Sequence, residues 1–328
     1  MRAWILDESP GAYRWGELSR PAVGPDDVAV RVVASALNHM DLWVKRGRPT
    51  PKVPHVPGGD AAGVVTEVGE RVASVAVGDE VVVDPTICRP EAVAELGIDA
   101  PVAKGTQILG EHRWGGHADE VVVPATNVVP RPAGRTWAEC AAYPVAHVTA
   151  WRLLRRARVQ AGETVLVVGI GGGVSTACLA IARHLGAETH VTSRDPTKAE
   201  AAIALGAVAA HDSAAERWDV EADVVVESVG PAPWKQSTAA LKRGGRMAVV
   251  GGTSGATVEL HLPTLFFRQH ELIGSTMGSP EEFAALTDAV AAGLEVHIDR
   301  ELGLDEYPAA LERLEQGAQL GKIVLRHV

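Results

Sequence analysis

Hydrophobic and polar positions follow one rhythm over roughly the first 130 residues of the chain. Short apolar or alternating stretches are separated by glycine and proline, and they predict strands over residues 28–34, 63–68, 79–83 and 119–123. Many brief strands with turns between them are typical of an irregular, barrel-like β domain.

A second rhythm begins near residue 149, where apolar strands alternate with helical patterns. Residues 164–168 form a nearly continuous apolar run, as expected for a strand buried on both faces. Further strands are predicted over 188–192, 224–226 and 247–250, and helices over 174–185, from Pro196 onwards and over 234–241. This alternation predicts βαβ units and a doubly wound parallel sheet, an α/β fold. After residue 277 the pattern predicts helices over 280–292 and 308–316 and a final strand over 322–326.

A glycine-rich turn separates the strand at 164–168 from the helix that follows it. The segment reads Gly169-Ile-Gly171-Gly172-Gly173-Val174-Ser175. Glycines let the backbone approach a pyrophosphate, whose charge is stabilised by the amides and the dipole at the start of the helix. Such a turn can also be purely structural. The strand before it, the helix after it and the further βαβ units favour a dinucleotide site.

The end of the second strand bears on which dinucleotide is bound. NAD-specific folds usually place Asp or Glu there, which accepts hydrogen bonds from the ribose 2′-hydroxyl. Here Ser193 stands at the expected acidic position, and Arg194 and Lys198 can pair with a 2′-phosphate. These charges favour NADPH. Asp195 keeps NADH open as the less favoured alternative, in which the two basic residues are simply solvated.

Composition and charge exclude several classes of protein. The chain has 328 residues, which suggests about two domains at ~150 residues each. A net charge of −10 argues against an electrostatic grip on nucleic acid or anionic lipid. No apolar stretch approaches the roughly 20 residues that span a bilayer, and no signal-peptide pattern develops before the first acidic residues. Three cysteines cannot form a disulfide framework, so we expect a reducing, cytoplasmic environment.

Taken together, these motifs resemble those of the medium-chain dehydrogenase/reductase superfamily, specifically its quinone-reductase-like and alcohol-dehydrogenase-like members. Besides the glycine turn, the resemblance is carried by the segments Ala36-Leu-Asn38-His39-Met-Asp41-Leu-Trp43, Pro57-Gly-Gly59-Asp60-Ala-Ala-Gly63-Val64-Val65, Gly78-Asp79-Glu-Val81, Ile108-Leu-Gly110-Glu111-His112-Arg113 and Gly321-Lys322-Ile-Val324. It covers essentially the whole chain. It implies a GroES-like, partly open β-barrel catalytic domain over residues 1–146 and 277–328. A Rossmann dinucleotide-binding domain over 147–276 is inserted between these segments.

The resemblance also raises the question of zinc. Zinc-dependent members hold a catalytic zinc ion with Cys, His and Cys, and the matching positions here are Asn38, Gly59 and Val145. Zinc needs about three nitrogen or sulfur donors plus an open position, which these side chains do not supply. The structural zinc of relatives uses four cysteines, and only Cys88 stands in the matching segment. Scattered histidines do not rebuild either site, so we expect no zinc.

Without a Lewis acid, the resemblance implies hydride transfer to a quinone, an enone or another α,β-unsaturated carbonyl. Asn38 matches an asparagine that can orient the substrate through its amide. Asp41 would order nearby hydrogen bonds or simply hold the loop. Tyr143 would donate a proton or be an ordinary half-buried tyrosine.

The resemblance further implies a set of cofactor contacts. His39 would contact the pyrophosphate or form a neutral wall of the site, and Lys322 would lie near the pyrophosphate. Thr149 and Val174 would touch the nicotinamide side, and Ser275 and Thr276 would lie at the domain crossing near the nicotinamide amide. The later strand ends would contribute Val229, Gly251 and Gly252, and the glycine turn would hold the pyrophosphate with Gly171, Gly172 and Gly173.

Two alternative functions and one assembly follow from the same residues. The first alternative is an alcohol or aldehyde dehydrogenase, and the second is a dinucleotide-binding protein that has lost turnover. A strand near residues 257–262 is predicted to pair with its twin, giving a homodimer or a homotetramer with a small-molecule substrate as the only other partner.

Overall fold

The computed structural model describes residues 1–327, and the chain divides into two compact units. The larger unit combines Met1–Val148 with the segment that begins at Met277, and the smaller unit is Thr149–Thr276.

The larger unit is built mainly from strands in its N-terminal part. The strands are β1 Arg2–Leu6, β2 Tyr13–Glu17, β3 Asp27–Ala36, β4 Asp60–Val68, β5 Glu80–Val83, β6 Thr86–Ile87, β7 Gln107–Ile108, β8 Glu120–Pro124 and β9 Val128–Pro130. The helices are α1 His39–Lys45, α2 Pro90–Leu96, α3 Trp137–Ala142 and α4 Pro144–Arg156, and the boundary between the two units falls inside α4.

The smaller unit alternates strands and helices. Its strands are β10 Thr164–Val167, β11 Glu188–Ser193, β12 Ala209–Asp212, β13 Ala222–Glu227, β14 Leu241–Val249 and β15 Glu271–Gly274. Its helices are α5 Gly173–His184, α6 Pro196–Ala204, α7 Trp234–Ala239 and α8 Leu262–Arg268. The strands form one parallel sheet in the order β12-β11-β10-β13-β14-β15, so the strand order reverses between β10 and β13. This is the doubly wound order of dinucleotide-binding sheets.

The chain then returns to the larger unit. Its last elements are α9 Pro280–Ala291, β16 Ile298–Gly303, α10 Tyr307–Glu315 and β17 Lys322–Arg326. β17 pairs antiparallel with β3, which extends the main sheet to the order β16-β17-β3-β4-β5-β9, with β8 also paired to β3. The C-terminal segment therefore completes a sheet that the N-terminal segment begins.

Each unit has its own apolar core. In the larger unit valines of β3, β4, β5 and β8 are fully or almost fully buried, because their strands place every second side chain on the inner face. In the smaller unit Leu166 of β10, Val225 of β13 and Met247 of β14 are buried under Trp218. These cores fix the strand ends from which the candidate site is built.

The fold class is confirmed, and most predicted elements are present. The predicted strand at 257–262 is wrong, because those residues are irregular up to His261 and α8 begins at Leu262. Strands at the sheet edges were missed, namely β12 and β15 in the smaller unit and β9 and β16 in the larger unit, since each has six residues or fewer and, among the described residues, only one neighbouring strand. Over residues 1–327 no helix has the length and apolar character needed to span a bilayer.

Candidate functional site

Three strands bring the polar residues of the larger unit together. Ala36, the last residue of β3, pairs with Asp60 of β4 and with Val324 of β17. Asn38 lies just beyond the end of β3, and Lys322 begins β17. The register therefore places Asn38, Asp60 and Lys322 side by side, although Asn38 and Lys322 are 284 positions apart in the chain.

Lys322 binds both of these side chains. Its Nζ donates to Asn38 Oδ1 at 2.7 Å, to Asp60 Oδ2 at 2.7 Å and to the Leu37 carbonyl oxygen at 2.6 Å. Asn38 Nδ2 donates to Asp60 Oδ2 at 2.8 Å. The Asp60 side chain is completely buried and that of Lys322 is 2% exposed. A buried ion pair of this kind is tolerated only when further hydrogen bonds satisfy both partners, as they do here.

A helix start holds the other oxygen of Asp60. The backbone N–H of Val145, in the first turn of α4, donates to Asp60 Oδ1 at 2.7 Å. The first N–H groups of a helix have no partner within the helix and carry a partial positive charge, so a carboxylate is stabilised there. Asp60 is thus fixed by an ammonium group, an amide and a helix N-terminus.

The carboxylate of Asp41 fixes the backbone around Asn38. It is completely buried and accepts the N–H of Asn38 at 2.7 Å and that of Gly58 at 3.1 Å. These bonds join the start of α1 to the loop before β4. Both predicted roles of Asp41 are compatible with these bonds, which order the backbone of Asn38 and hold the loop at Gly58.

The positions matched to zinc ligands do not fit a zinc ion. A Cβ atom on Gly59 would lie 2.8 Å from Met40 Cε and 2.9 Å from Val145 Cγ2, so the space that a longer ligand side chain needs is filled. Asn38 is committed to Lys322 and Asp60. Within the described chain, no three His, Cys, Asp or Glu side chains are grouped so as to hold a metal ion. The donor set is therefore wrong for zinc in its chemistry and in its space.

His39 begins α1 next to this cluster. Burial lowers its pKa, and the positive charge of Lys322 lowers it further. The imidazole is therefore neutral at pH 7, and its ring lies 6.3 Å from the Trp43 ring, centre to centre. Of the two roles predicted for His39, contact with a pyrophosphate would have to be a neutral hydrogen bond rather than an ion pair.

Tyr143 is packed away from solvent. Its side chain is completely buried, its ring stacks on Phe283 at 5.7 Å and its hydroxyl lies 3.0 Å from Thr287 Oγ1. Because Thr287 donates its own proton to the Phe283 carbonyl, Tyr143 must be the donor in the bond to Thr287. Burial also raises the pKa of Tyr143 well above its usual value. A proton donor needs an accessible hydroxyl, which Tyr143 does not have.

The glycine turn of the smaller unit joins β10 to α5. Gly169 and Gly171 have positive φ angles of 76° and 156°, which favour glycine. The N–H of Gly169 binds Thr192 Oγ1 at 2.9 Å, so the turn is tied to β11. The N–H of Gly171 binds Ser175 Oγ at 3.1 Å. Ser175, which stands where a third glycine is usual, therefore stabilises the turn through its hydroxyl.

The helix α5 starts directly after this turn. Gly172 is the N-cap residue, and Gly173 and Val174 are the first two residues of the 12-residue helix. Their N–H groups have no partner inside the helix, as a pyrophosphate site requires. Thr149, also predicted to touch the cofactor, is buried within α4.

The second strand of the smaller unit ends in a tight local network. Ser193 Oγ accepts the N–H of Asp195 at 3.0 Å and donates to its carbonyl oxygen at 2.9 Å. The Asp195 carboxylate accepts the N–H of Thr197 at 2.9 Å and caps α6. Arg194 is exposed, and Lys198 is partly buried in the first turn of α6. The acidic side chain is thus engaged in a helix cap, whereas Arg194 faces solvent.

The remaining predicted cofactor residues follow the carboxyl ends of parallel strands. Val229 comes after β13, Gly251 and Gly252 come after β14, and Ser275 and Thr276 come after β15. Because all six strands are parallel, these residues share one edge of the sheet with the glycine turn. Ligands of open parallel sheets bind at this edge, where the strand order reverses.

Sequence reasoning missed one buried acid at this edge. Glu227, the last residue of β13, is completely buried and accepts the N–H groups of Val229 and Gly230 at 2.7 and 2.9 Å. Ser237 Oγ donates to it at 2.6 Å, and burial raises its pKa. An acidic residue directly after the apolar run at 224–226 was the available signal. Glu227 shapes the loop that carries Val229.

Comparison with known proteins agrees with this architecture. Residues 24–133 match the alcohol dehydrogenase GroES-like domain, and residues 173–292 match the zinc-binding dehydrogenase family. A zinc-type alcohol dehydrogenase-like protein of Schizosaccharomyces pombe is 31% identical over 325 residues, which cover 93% of this chain and 92% of that protein. The chain belongs to the medium-chain dehydrogenase/reductase superfamily. It is an NAD(P)H-dependent oxidoreductase of that superfamily.

Other members of the superfamily differ in the reactions that their names give. A 2-methylene-furan-3-one reductase of Solanum lycopersicum is 31% identical over 239 residues, which cover 71% of this chain and 56% of that protein. The crystal structure of an NAD-dependent alcohol dehydrogenase has a TM-score of 0.93 and 34% identity, with 99% of both chains covered. The 2-octenoyl-CoA carboxylase reductase CinF, solved with NADP and 2-octenoyl-CoA, has a TM-score of 0.90 and 25% identity, with 98% of this chain and 83% of that chain covered.

Proposed function

We propose that this protein is an NADPH-dependent, metal-independent reductase that transfers hydride to a quinone, an enone or another α,β-unsaturated carbonyl. The observation that carries the proposal is the state of the three zinc-ligand positions. Asn38 is held by an ammonium group, the Gly59 position is closed by Met40 and Val145, and Val145 offers only an apolar side chain.

The chemistry follows from what these groups can stabilise. Bound NADPH supplies the hydride. In the reduction of an enone, negative charge develops on the carbonyl oxygen, where a hydrogen-bond donor lowers the barrier. Oxidation of a simple alcohol needs a stronger electrophile to stabilise the alkoxide, which is the usual task of zinc. Asn38 can supply a hydrogen-bond donor to the carbonyl oxygen of an enone. It cannot act as the Lewis acid that stabilises an alkoxide.

NADPH is favoured over NADH by the arrangement at the end of β11. Arg194 faces solvent next to Ser193, at the place where a ribose 2′-phosphate would need a cation. Asp195, the acid that follows Arg194 in the chain, already caps α6. CinF, which was solved with NADP, supports the same choice, and the NAD-dependent alcohol dehydrogenase supports the other one.

The names of relatives support reduction of conjugated double bonds. 2-Methylene-furan-3-one and 2-octenoyl-CoA both carry a C=C bond next to a carbonyl. In such substrates the hydride goes to the carbon β to the carbonyl, and a proton from solvent or from the protein goes to the α carbon. Tyr143 is not available as the donor of this proton, because its hydroxyl is buried against Thr287.

Product analysis tests the proposal. The protein is incubated with NADPH that carries deuterium at the transferred position and with 2-cyclohexenone, and the product is identified by mass spectrometry and NMR. We expect cyclohexanone with one deuterium at the β carbon. 2-Cyclohexenol with deuterium on the carbinol carbon would instead show carbonyl reduction and would overturn the proposal.

An alcohol or aldehyde dehydrogenase is the second candidate, and it is favoured by the names of two relatives that each cover more than 90% of this chain. Oxidation of alcohols distinguishes this candidate from an enone reductase. If it holds, the protein oxidises simple primary or secondary alcohols with NAD or NADP, and this activity depends on added zinc.

We further propose that copies of this chain associate through residues 258–272. Six large apolar side chains of this segment are between 37% and 71% exposed, namely Val258, Leu260, Leu262, Phe266, Phe267 and Leu272. Leu272 lies in β15, which among residues 1–327 has no neighbouring strand on its outer side. Clustered apolar side chains beside a sheet edge are typical of an interface between protein chains. A dimer is the simplest assembly, and a tetramer is the larger alternative.

A further inference from the structure

Lys322 differs from the role that the family resemblance implied for it. A lysine that contacts a cofactor pyrophosphate needs at least one N–H directed outward. The three N–H groups of Lys322 are matched by three acceptors inside the larger unit, and the side chain is 2% exposed. Its ammonium group is therefore a component of the Asn38 cluster.

The ammonium group determines the orientation of the Asn38 amide. A lysine ammonium only donates hydrogen bonds, so the amide oxygen must face Lys322. An ionised carboxylate only accepts them, so the NH₂ group must face Asp60. Both bonds are present, at 2.7 and 2.8 Å. With the orientation reversed, Lys322 would face a donor and Asp60 would face an acceptor.

One N–H of Asn38 remains for a ligand. The NH₂ group has two hydrogens, and Asp60 takes one of them. Within the described chain the second has no protein acceptor, and Asn38 is partly exposed. A fixed amide N–H that has no protein acceptor is the kind of donor that stabilises a developing oxyanion without reorganising.

The cation also lies among the positions that correspond to metal ligands. Asn38 binds Lys322 directly, and Val145 binds the same carboxylate as Lys322 through its backbone N–H. The positive charge beside Asn38 and Val145 is therefore the ammonium group of a side chain of the protein.

We propose that Lys322 is a positioning residue that replaces the metal cation of related sites. It neutralises Asp60 and holds the Asn38 amide with one N–H directed at the carbonyl oxygen of the substrate. The inference rests on the proposed enone reduction for its catalytic consequence, but the cation site itself can be tested without it.

Chemical rescue of Lys322→Ala tests the proposal. The substitution removes three carbons and the ammonium group, which n-propylammonium replaces, whereas 1-propanol has a similar size and no charge. We expect kcat with 2-cyclohexenone to fall by at least about tenfold while the KM for NADPH stays within about twofold. n-Propylammonium should restore part of kcat and raise the Tm of the variant, and 1-propanol should do neither. Wild-type protein in the same amine corrects for its direct reaction with the enone.

Two results would overturn the proposal. The first is a large rise in the KM for NADPH with kcat retained, which would return Lys322 to the pyrophosphate. The second is equal stabilisation by 1-propanol and n-propylammonium, which would mean that only volume matters. Lys104→Ala, which removes an exposed lysine of the same unit, is the matched control and should change neither parameter.

Further measurements cover two other outcomes. If Lys322→Ala does not fold, Lys322→Gln keeps most of the volume without the charge, and the same split between kcat and KM decides. If the wild-type protein does not reduce enones, the proposed function fails, and the Tm response to n-propylammonium still confirms or refutes the cation site.

Discussion

Asn38 is the residue on which the proposed chemistry depends most directly. We expect Asn38→Ala to lower kcat for enone reduction by about 100-fold, the usual effect of removing one oxyanion donor. Binding of NADPH, followed by fluorescence titration, should be unchanged. Asn127→Ala is the matched control, because Asn127 also makes two buried hydrogen bonds, to the carbonyls of Asp84 and Thr86. It should lower stability while kcat is retained, and equal losses of kcat in both variants would contradict the role of Asn38.

Substitution of Arg194 tests the preference for NADPH over NADH. A charge-assisted hydrogen bond to a phosphate contributes about 1.5–3 kcal/mol, which corresponds to roughly a tenfold or greater change in affinity. We therefore expect Arg194→Ala to raise the KM for NADPH at least about tenfold and to leave that for NADH nearly unchanged. Arg217→Ala, at another exposed arginine of the same unit, should change neither. Equal effects on the two cofactors would remove the 2′-phosphate assignment.

Asp84 makes stability depend on pH. Its carboxylate is buried, and among the described residues it has no hydrogen bond to a cationic group. Burial raises its pKa to about 7, from 3.8 in the unfolded chain. The native state therefore binds more protons than the unfolded state between about pH 4 and pH 7, and stability falls as pH rises through that window. One such group contributes at most about 1.4 kcal/mol per pH unit.

Thermal unfolding of Asp84→Asn measures this effect. Because the amide does not titrate, the fall in Tm between pH 5 and pH 8 should be smaller for the variant than for the wild-type protein. Glu95→Gln, at an exposed acid of the same unit, should follow the wild-type curve. Parallel curves for all three proteins would show that Asp84 does not titrate in this range.

At the scale of elements, α6 links stability to cofactor choice. Asp195→Ala removes the N-cap of α6 and should lower the free energy of unfolding by about 1 kcal/mol in denaturant titrations. Asp195→Asn keeps the cap, since Asn and Asp are equally good there, and should unfold like the wild-type protein. It should also leave the KM for NADH unchanged. A large rise in that KM for Asp195→Asn would show that the carboxylate binds the ribose of NADH.

The elements differ in how well the sequence predicts them. β10 and β13 are buried on both faces, so their apolar runs identify them, and the turn after β10 is marked by its glycines. β12 reads Ala-Ala-His-Asp, and its side chains are partly or fully exposed, so no apolar run distinguishes it from a loop. The segment at 257–262 alternates as a strand does, but it has no partner strand in the part of the chain that the structure describes.

The candidate site also combines features that the sequence predicts with features that it does not. The glycine turn is a local feature that the sequence pattern locates, whereas the residues after the later strands came from the resemblance to relatives. The bonds of Lys322 to Asn38 and Asp60 join positions 284 and 262 residues apart, and they depend on the register of β3, β4 and β17. No local pattern contains that information. The resemblance to relatives therefore suggested a cofactor contact for Lys322, whereas its surroundings give it acceptors within its own unit.

At the scale of the whole molecule, the exposed apolar segment predicts self-association. We expect sedimentation equilibrium at micromolar concentration to give at least twice the mass of one chain. Phe267 is 71% exposed, and Phe267→Asp should shift the protein toward the monomer because a charge would be buried in the interface. Val102→Asp changes a similarly exposed apolar residue of the other unit, at 64%, and should leave the mass unchanged. A monomeric wild-type protein would refute the assembly.

The zinc content of the active protein decides whether the reaction needs a metal ion. Zinc in the purified protein is measured by mass spectrometry before and after dialysis against a strong chelator, and NADPH oxidation with 2-cyclohexenone is followed in both samples. We expect far less than one zinc ion per chain before dialysis and the same turnover in both samples. One zinc ion per chain, with turnover that is lost on chelation and regained when zinc is returned, would contradict the proposed metal-independent reaction.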